Sequence, residues 1–210
     1  MAERFGADDF RSQFPVSRET LDALRRHVDL LTRWQRRINL VGHATLPDVW
    51  RRHVLDSAQL FPLAPPEARI WTDLGSGGGF PGLVLAAILK YDHPERRANV
   101  HLLESDRRKA AFLREGARVM EVPVTVHAGR IEDMAGWKSD VVTARACAAL
   151  PALIDYARPF LHAGSVMLFP RGKDYAAELT AIEKCGTVRC ETVPSVTDSA
   201  ARIFRLRMAA

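Results

Sequence analysis

The densest chemical signal in the chain is Asp73-Leu74-Gly75-Ser76-Gly77-Gly78-Gly79-Phe80-Pro81-Gly82, with four glycines in the five positions from Gly75 to Gly79. The stretch follows an apolar strand-like run and precedes an apolar helix-like run, the context that a cofactor loop requires. Glycines there allow positive φ and leave no Cβ between ligand and backbone. Two registers are open. Gly77 to Gly82 matches G-x-G-x-x-G, which would cradle a dinucleotide pyrophosphate. Asp73-x-Gly75-x-Gly77-x-Gly79 places an acid on the strand and glycines at every second position, which suits a nucleoside bearing an amino acid, S-adenosylmethionine. In that register Asp73 would accept from the ligand's ammonium side or from ordered water.

Other residues fall where such a ligand needs them. Glu104 ends the next strand, where a carboxylate can accept both ribose hydroxyls. In Arg130-Ile131-Glu132 the acid could take the exocyclic amine of adenine while the backbone of Ile131 reads the ring. Arg145, between small residues in Thr143-Ala144-Arg145-Ala146, is placed to reach a ligand at the mouth of the sheet. Cys147 reads as a small packing residue, and no D/N-P-P-Y/F segment of an adenine amino-group methylase follows the fourth strand.

The elements that must position these groups alternate. Strands are expected at 70–73, 100–104, 124–127, 141–143 and 165–170, with helices at 83–90, 105–120 (capped by Ser105 or Asp106), 151–161 and 175–185. Two late β segments, 188–193 and 202–208, are close enough for an antiparallel pair. This alternation specifies an α/β fold, a doubly wound and mostly parallel Rossmann-like sheet whose ligand sits beyond the carboxyl ends of the first strands. Ahead of it, Leu21, Leu24, Val28, Leu31, Trp34 and Ile38 form an amphipathic helix with Ser17 as N-cap and Val16 and Leu21 placed for a staple. A second helix, with Pro47 in its first turn, is expected to run to Phe61 and to carry Arg51, Arg52, His53, Asp56 and Ser57. Three prolines between Pro62 and Pro66 then divide a helical extension, 1–66, from the main domain, 67–210.

Composition narrows the class. Hydrophobic residues make up 47% and charged residues 26% of the 210, which excludes a disordered or fibrous chain. Three cysteines (Cys147, Cys185, Cys190) without a CxxC exclude a disulfide framework and argue against a cysteine metal site. No apolar run approaches the ~18 residues of a membrane span. The N-terminal segment lacks the apolar stretch of a signal peptide. A cytoplasmic protein acting as a monomer without a membrane is expected. The net charge is +5, and 25 of the 30 basic residues are arginine, compatible with a polyanionic partner or with genome composition alone. Arg26, Arg33 and Arg37 share a stripe opposite the apolar face of the first helix, near Asp22 and Asp29.

Taken with Asn39-Leu40, His53-x-x-Asp56-Ser57, the Gly-Phe-Pro-Gly ending of the glycine loop, Glu104-Ser105 with Lys109 and Phe112-Leu113, Arg130-x-Glu132, Arg145-Ala146 and Lys173, the chain resembles the RsmG (GidB) family of bacterial 16S ribosomal RNA methyltransferases. The resemblance implies a class I methyltransferase fold with an N-terminal helical extension, S-adenosylmethionine as cofactor, and methyl transfer to guanine N7 in the 530 loop of 16S rRNA. It places cofactor contacts on Gly75, Phe80, Ile131, Glu132 and Arg145, to which the residue reading adds Asp73, Gly77 and Glu104. The chain departs from the family at Val41, where Thr is frequent, and at Arg107-Arg108, which replaces part of a lysine pair; both are expected on RNA-facing or surface segments.

Guanine N7 carries a lone pair and no proton, so orientation of the two reactants can supply most of the catalysis. Arg145, with His53 or Asn39, is the candidate grip on the guanine O6 edge. With RNA as partner, Arg33, Arg36, Arg37, Arg51, Arg52 and Lys173 become candidate phosphate contacts. Three other readings stay open on the residues alone: a small-molecule methyltransferase, a dinucleotide-dependent oxidoreductase, and a non-catalytic RNA-binding protein on the same fold.

Overall fold

The computed structural model describes residues 5–134, 136–145 and 147–209. Ala146, the second half of the Arg145-Ala146 pair, lies outside them, and so does the side chain of Cys185. Five parallel strands, β1 (Ile70–Leu74), β2 (Asn99–Glu104), β3 (Val124–Ala128), β4 (Ser139–Ala144) and β5 (Leu161–Arg171), are extended by the antiparallel hairpin β6 (Val188–Pro194) and β7 (Arg202–Met208). The sheet order is β3-β2-β1-β4-β5-β7-β6. The order reverses between β1 and β4, and the loops leaving these two strands therefore diverge and open a crevice at their carboxyl ends.

Helices cover both faces. On one side α1 (Ala7–Gln13), α2 (Arg18–Trp34), α4 (Gly82–Tyr91) and α5 (Arg107–Met120) share a core containing Phe10, Leu24, Leu31, Val54, Leu83 and Phe112. On the other, Leu150 and Leu153 of α6 (Leu150–Ala157) and Ile182 of α7 (Tyr175–Cys185) pack with Leu74, Leu103, Phe169 and Phe204. α4 is buried along nearly its whole length, which explains its unbroken apolar sequence. α2 and α5 are amphipathic and exposed on one side. The Ser17 hydroxyl caps α2 by accepting from the Thr20 N–H at 3.1 Å, and the Asp106 carboxylate caps α5 at the Arg108 and Lys109 N–H groups.

Three expectations need correction. The helix anticipated from Thr45 to Phe61 is instead a 3₁₀ turn (Leu46–Asp48), a π turn (Trp50–Leu55), the single turn α3 (Asp56–Ala58) and a second 3₁₀ turn (Phe61–Leu63). The wide π turn accommodates an extra residue where the segment must pack on the glycine loop. α2 ends at Trp34, before Ile38, because Gln35 turns inward and caps the following backbone. The stretch anticipated as helix to Leu161 leaves the α conformation at Ala157, ahead of Pro159, and β5 begins at Leu161, four residues earlier than Ser165. The proline segment packs on the rest of the fold: Phe61 stacks on Trp71 at 6.2 Å and on His93 at 4.7 Å, and Arg205 Nε–H donates to the Leu63 carbonyl. α1 carried no signal strong enough to be expected.

Candidate active site

A cavity of about 770 Å³ opens at the carboxyl ends of β1 and β4. Its floor is the glycine turn Gly75–Gly78 with Phe80; its walls are the turn at Leu40–Gly42, the π turn with Arg52 and His53, the segment after β4 with Arg145 and Cys147, and the β6–β7 loop with Ser195, Thr197 and Asp198. The sheet reversal positions the floor and the Arg145 wall, and the helices before residue 67 supply the opposite wall.

The glycines are demanded by this geometry. Gly75 has φ of +67°, and a Cβ there would lie 2.6 Å from the Cys147 sulfur. Gly77 has φ of +53°, and its missing Cβ would meet nothing closer than 3.7 Å, so its backbone faces open space. The turn is held from below by Asp73, 1% exposed, whose two carboxylate oxygens accept from the Gly82 N–H at 3.2 Å and the Thr143 hydroxyl at 2.9 Å. Burial raises its pKa to about 6, against the pull of its donors. Asp73 does not line the cavity. Both of its oxygens accept from the protein and so brace the turn, each with a lone pair left over as on any carboxylate.

Glu104 lies just behind the floor, its carboxylate accepting from the N–H groups of Gly77 at 2.9 Å and Asp106 at 2.8 Å. A carboxylate offers about four lone-pair directions, so capacity remains for hydroxyl donors. Ile131 and Glu132 form a 3₁₀ turn after β3, outside the cavity wall, with Glu132 exposed and accepting from Arg130 at 3.1 Å. The carboxylates of Asp73, Glu104 and Glu132 all act on the Cys147 thiol, which burial first of all raises above its ordinary pKa. Cys147 therefore lines the site and packs on Gly75.

Arg145 crosses the cavity. Its guanidinium sits 5.3 Å from the centroid of the Phe80 ring, donates to the Arg52 carbonyl at 3.1 Å and lies 3.5 Å from Asp56 Oδ2. Asp56 Oδ1 accepts from the Thr197 hydroxyl and from Gln59. Arg51 Nε–H donates to the Thr197 carbonyl at 3.4 Å, and Arg52 stands 3.5 Å from Asp198. Arg51 and Arg52, expected as solvated phosphate contacts, thus also tie the extension to the β6–β7 loop. Arg171 at the end of β5 is gripped by Glu178 and donates to the Ala148 carbonyl.

Phe80 is sandwiched between two histidines, His27 of α2 at 4.8 Å and His53 of the π turn at 5.1 Å. The His27 Nε2–H donates to the Gly78 carbonyl at 2.9 Å. The Thr45 hydroxyl spends its proton on the Gly42 carbonyl, so His53 Nε2 must be the donor in its 2.8 Å bond to Thr45. Nε2 therefore carries a proton in both rings, and the buried Nδ1 atoms, which have no partner among the described residues, are left without one. Burial drives the pKa of His27 to about 4, while burial and then Arg145 and Arg52 drive that of His53 to about 3. The sequence reading missed His27, which looks like a core position on an amphipathic helix. It also missed Gln35, whose buried amide accepts from Leu40 and Val41 and sets them against Gly78.

Of the expected site residues, the fold gathers His53, Arg52, Gly75, Gly77, Phe80 and Arg145 around one cavity. Asn39 is exposed, with its side-chain oxygen accepting from Gln35, and Lys173 is exposed next to Gly172 at the cavity edge. Val41, expected on an RNA-facing or surface segment, is 7% exposed and packs against the glycine loop. Arg33, Arg36 and Arg37 line a separate groove. Among the described residues no histidine, cysteine and acid cluster could hold a metal, and no helix is long and apolar enough to cross a membrane.

The backbone-lined floor, the acid at the end of β2 with unspent lone pairs and the open volume beside them fit a nucleoside cofactor. The comparisons agree. Solved structures that share the fold include cofactor-bound Rv0187 from MTB (TM-score 0.67, 17% identity, 99% of this chain and 98% of that one). The O-methyltransferase from Bacillus cereus in complex with SAH also matches (TM-score 0.60, 17% identity, 97% and 96%). The chain is 52% identical to the ribosomal RNA small subunit methyltransferase G of Rhodospirillum centenum over 98% of its own length and 92% of that protein's. It is also 52% identical to the protein of the same name from Paramagnetospirillum magneticum, covering 96% and 95%. The family model described as rRNA small subunit methyltransferase G matches residues 20–203, and the chain belongs to that family.

Proposed function

We propose that this protein transfers a methyl group from S-adenosylmethionine to N7 of a guanine in the 530 loop of 16S ribosomal RNA. The observation that carries the reading is the meeting of the Gly75–Gly78 floor with Arg145 across one cavity. The cofactor, when bound, supplies an activated methyl group on a sulfonium. Gly75 and Gly77 would hold it through backbone, Glu104 through its remaining lone pairs, and Ile131 and Glu132 from the turn after β3. His53, which lines the cavity, is a weak base at its lowered pKa, and this suits the chemistry: the acceptor nitrogen has no proton to lose, so the chain needs no general base. Arg145 already has Arg52 and Asp56 as fixed partners and retains further N–H donors for the guanine O6 edge. A fork onto both O6 and N7 would block the reacting atom, so a single O6 bond is assigned. His53 orients Phe80 and Arg145 beside it, and Asn39 stands on the exposed turn at the entrance. The exposed Arg33, Arg36, Arg37, Arg51, Arg52 and Lys173 meet phosphates, and the target base leaves its stack to enter the cavity.

Labelled-methyl transfer from S-adenosylmethionine to small-subunit particles from cells lacking the protein, followed by cleavage specific for N7-methylguanine, tests the reading. One new site in the 530 loop is expected. Cofactor binding without transfer to any RNA overturns it.

A further inference from the structure

The second concavity, about 860 Å³, lies between the C-terminal end of α2 and the first turns of α5. Its floor is apolar, from Trp34, Ile38 and Ala111, and its rim carries Arg33, Arg36, Arg37 and Arg108. Trp34 is half-buried, edge-on to Phe112 at 5.6 Å, which fixes the indole and leaves part of it towards the groove. Arg33, Arg36 and Arg37 are exposed, and among the described residues none has a carboxylate within ion-pairing distance. The one acid in the wall, Glu115, is held by Arg118 through two bonds of 2.7 and 2.8 Å. Arg108 has only a loose approach to Asp106 at 3.9 Å. Asp22, which the sequence places near the same stripe, is taken by Arg18 and Arg25 further back along α2.

An aromatic floor beneath a guanidinium rim, three of whose four members have no ion pair among the described residues, fits a ligand that is flat, apolar on its face and negatively charged at its edge. The groove also adjoins the active site. The turn after α2 walls the groove with residues 36–38 and the cavity with residues 40–42, and α5 gives Arg108 to one and Lys109 to the other. We propose that this groove seats one unstacked nucleotide of the RNA strand that delivers the target guanine, its base against Trp34 and its phosphates among the four arginines. The inference rests on the rRNA reading above and adds a second, base-sized contact to it. Stacking on an aromatic side chain tolerates any base, so the seat contributes affinity and strand register rather than sequence choice.

The test uses the full chain and unmodified small-subunit rRNA, free and in particles, with Arg36→Glu/Arg37→Glu and Trp34→Leu as variants. The double reversal touches no core residue, and thermal melts control for folding in both. Each variant is expected to raise KM for RNA about tenfold or more, with S-adenosylmethionine binding as in the wild type. An ultraviolet cross-link from RNA to the peptide containing Trp34 is expected in the wild type and absent in the reversal. Wild-type KM in both variants overturns the groove while leaving the methyltransferase reading intact. A loss in the reversal alone reduces the groove to a phosphate contact and overturns the nucleotide seat. A loss seen with particles but not with free rRNA assigns the groove to a ribosomal protein and overturns it as well. Failure of the wild type to bind or methylate any RNA overturns the seat and the reading beneath it together.

Discussion

The two concavities carry arginines in opposite states. Around the cavity each arginine is tied down: Arg52 to Asp198, Arg145 to Asp56 and the Arg52 carbonyl, Arg171 to Glu178, and Arg202 to the Ser199 and Ala201 carbonyls. Around the groove, among the described residues, Arg33, Arg36 and Arg37 have no carboxylate within ion-pairing distance, and the nearby Glu115, though Arg33 acts on it across a distance, is hydrogen-bonded by Arg118. A guanidinium with its carboxylate in place is oriented and partly neutralised, which serves a site where one base must be presented in one pose. An unpaired, exposed guanidinium releases counterions when a phosphate arrives, which serves affinity and salt dependence. One residue type is thus used for positioning in one region and for attraction in the other, and the neighbouring acids decide which.

The largest effect expected from breaking this arrangement is at Arg145. Arg145→Ala should lower methyl transfer at saturating RNA and saturating S-adenosylmethionine about 100-fold, as misplacement of a reactant does, beyond any loss of cofactor affinity seen by calorimetry. Turnover at the wild-type level would remove Arg145 from the grip on the guanine.

The histidine sandwich gives the next largest effect, in stability. His27 and His53 have pKa values near 4 and 3 in the fold against 6.5 unfolded, so the folded chain binds fewer protons in between. Their contribution is fully present above pH 6.5 and is lost as pH falls, each on the order of 2 kcal/mol by pH 5. Asp73 works the other way: with its pKa raised to about 6, it destabilises the fold as pH rises from 4 through 6 and returns about 1 kcal/mol on acidification from 6.5 to 5. The balance is acid lability. Urea unfolding at pH 7 and pH 5 should show it, and His27→Gln, which keeps a donor to Gly78, should flatten the difference by about two thirds.

A smaller loss separates the cavity floor from its surroundings. A Cβ at Gly82 would lie 2.3 Å from Leu102 Cδ2 and 2.8 Å from Asp73 Oδ2. Gly82→Ala should cost about 1–3 kcal/mol in denaturant midpoint and weaken cofactor binding. A stable variant with normal binding would show that Asp73 does not hold the turn. The smallest effect sharpens the comparison directly. Asp198→Ala releases Arg52 from an exposed pair, so stability should change by about 0.5 kcal/mol or less. RNA affinity should rise slightly, with a steeper salt slope, because Arg52 then resembles the groove arginines. A fall in RNA affinity would mean that Arg52 needs its partner to be useful.

The sequence by itself determined the glycine loop and the order of strands and helices after residue 67, though not where α6 ends and β5 begins. Their signals are local: alternation, apolar runs bounded by turn residues, and glycines where φ must be positive. It also singled out Arg145 and Glu104 by their places at strand ends, and the match of His-x-x-Asp-Ser with Gly-Phe-Pro-Gly carried the family resemblance. Only the tertiary structure decided what these groups do to one another. Asp73 proved to be a buried brace because Thr143 and Gly82, 70 and 9 residues away, take its oxygens. His27 became part of the site because α2 lies across the glycine loop, a contact 51 residues long in sequence that helical periodicity cannot report. The segment at 46–63 forms four short turns where the sequence reads as one helix, and His53 within it stacks on Phe80. The pairing state of each arginine was likewise decided by acids from other elements. Periodicity shows which side of a helix is exposed. It carries no information on which charge from elsewhere in the fold will meet that side.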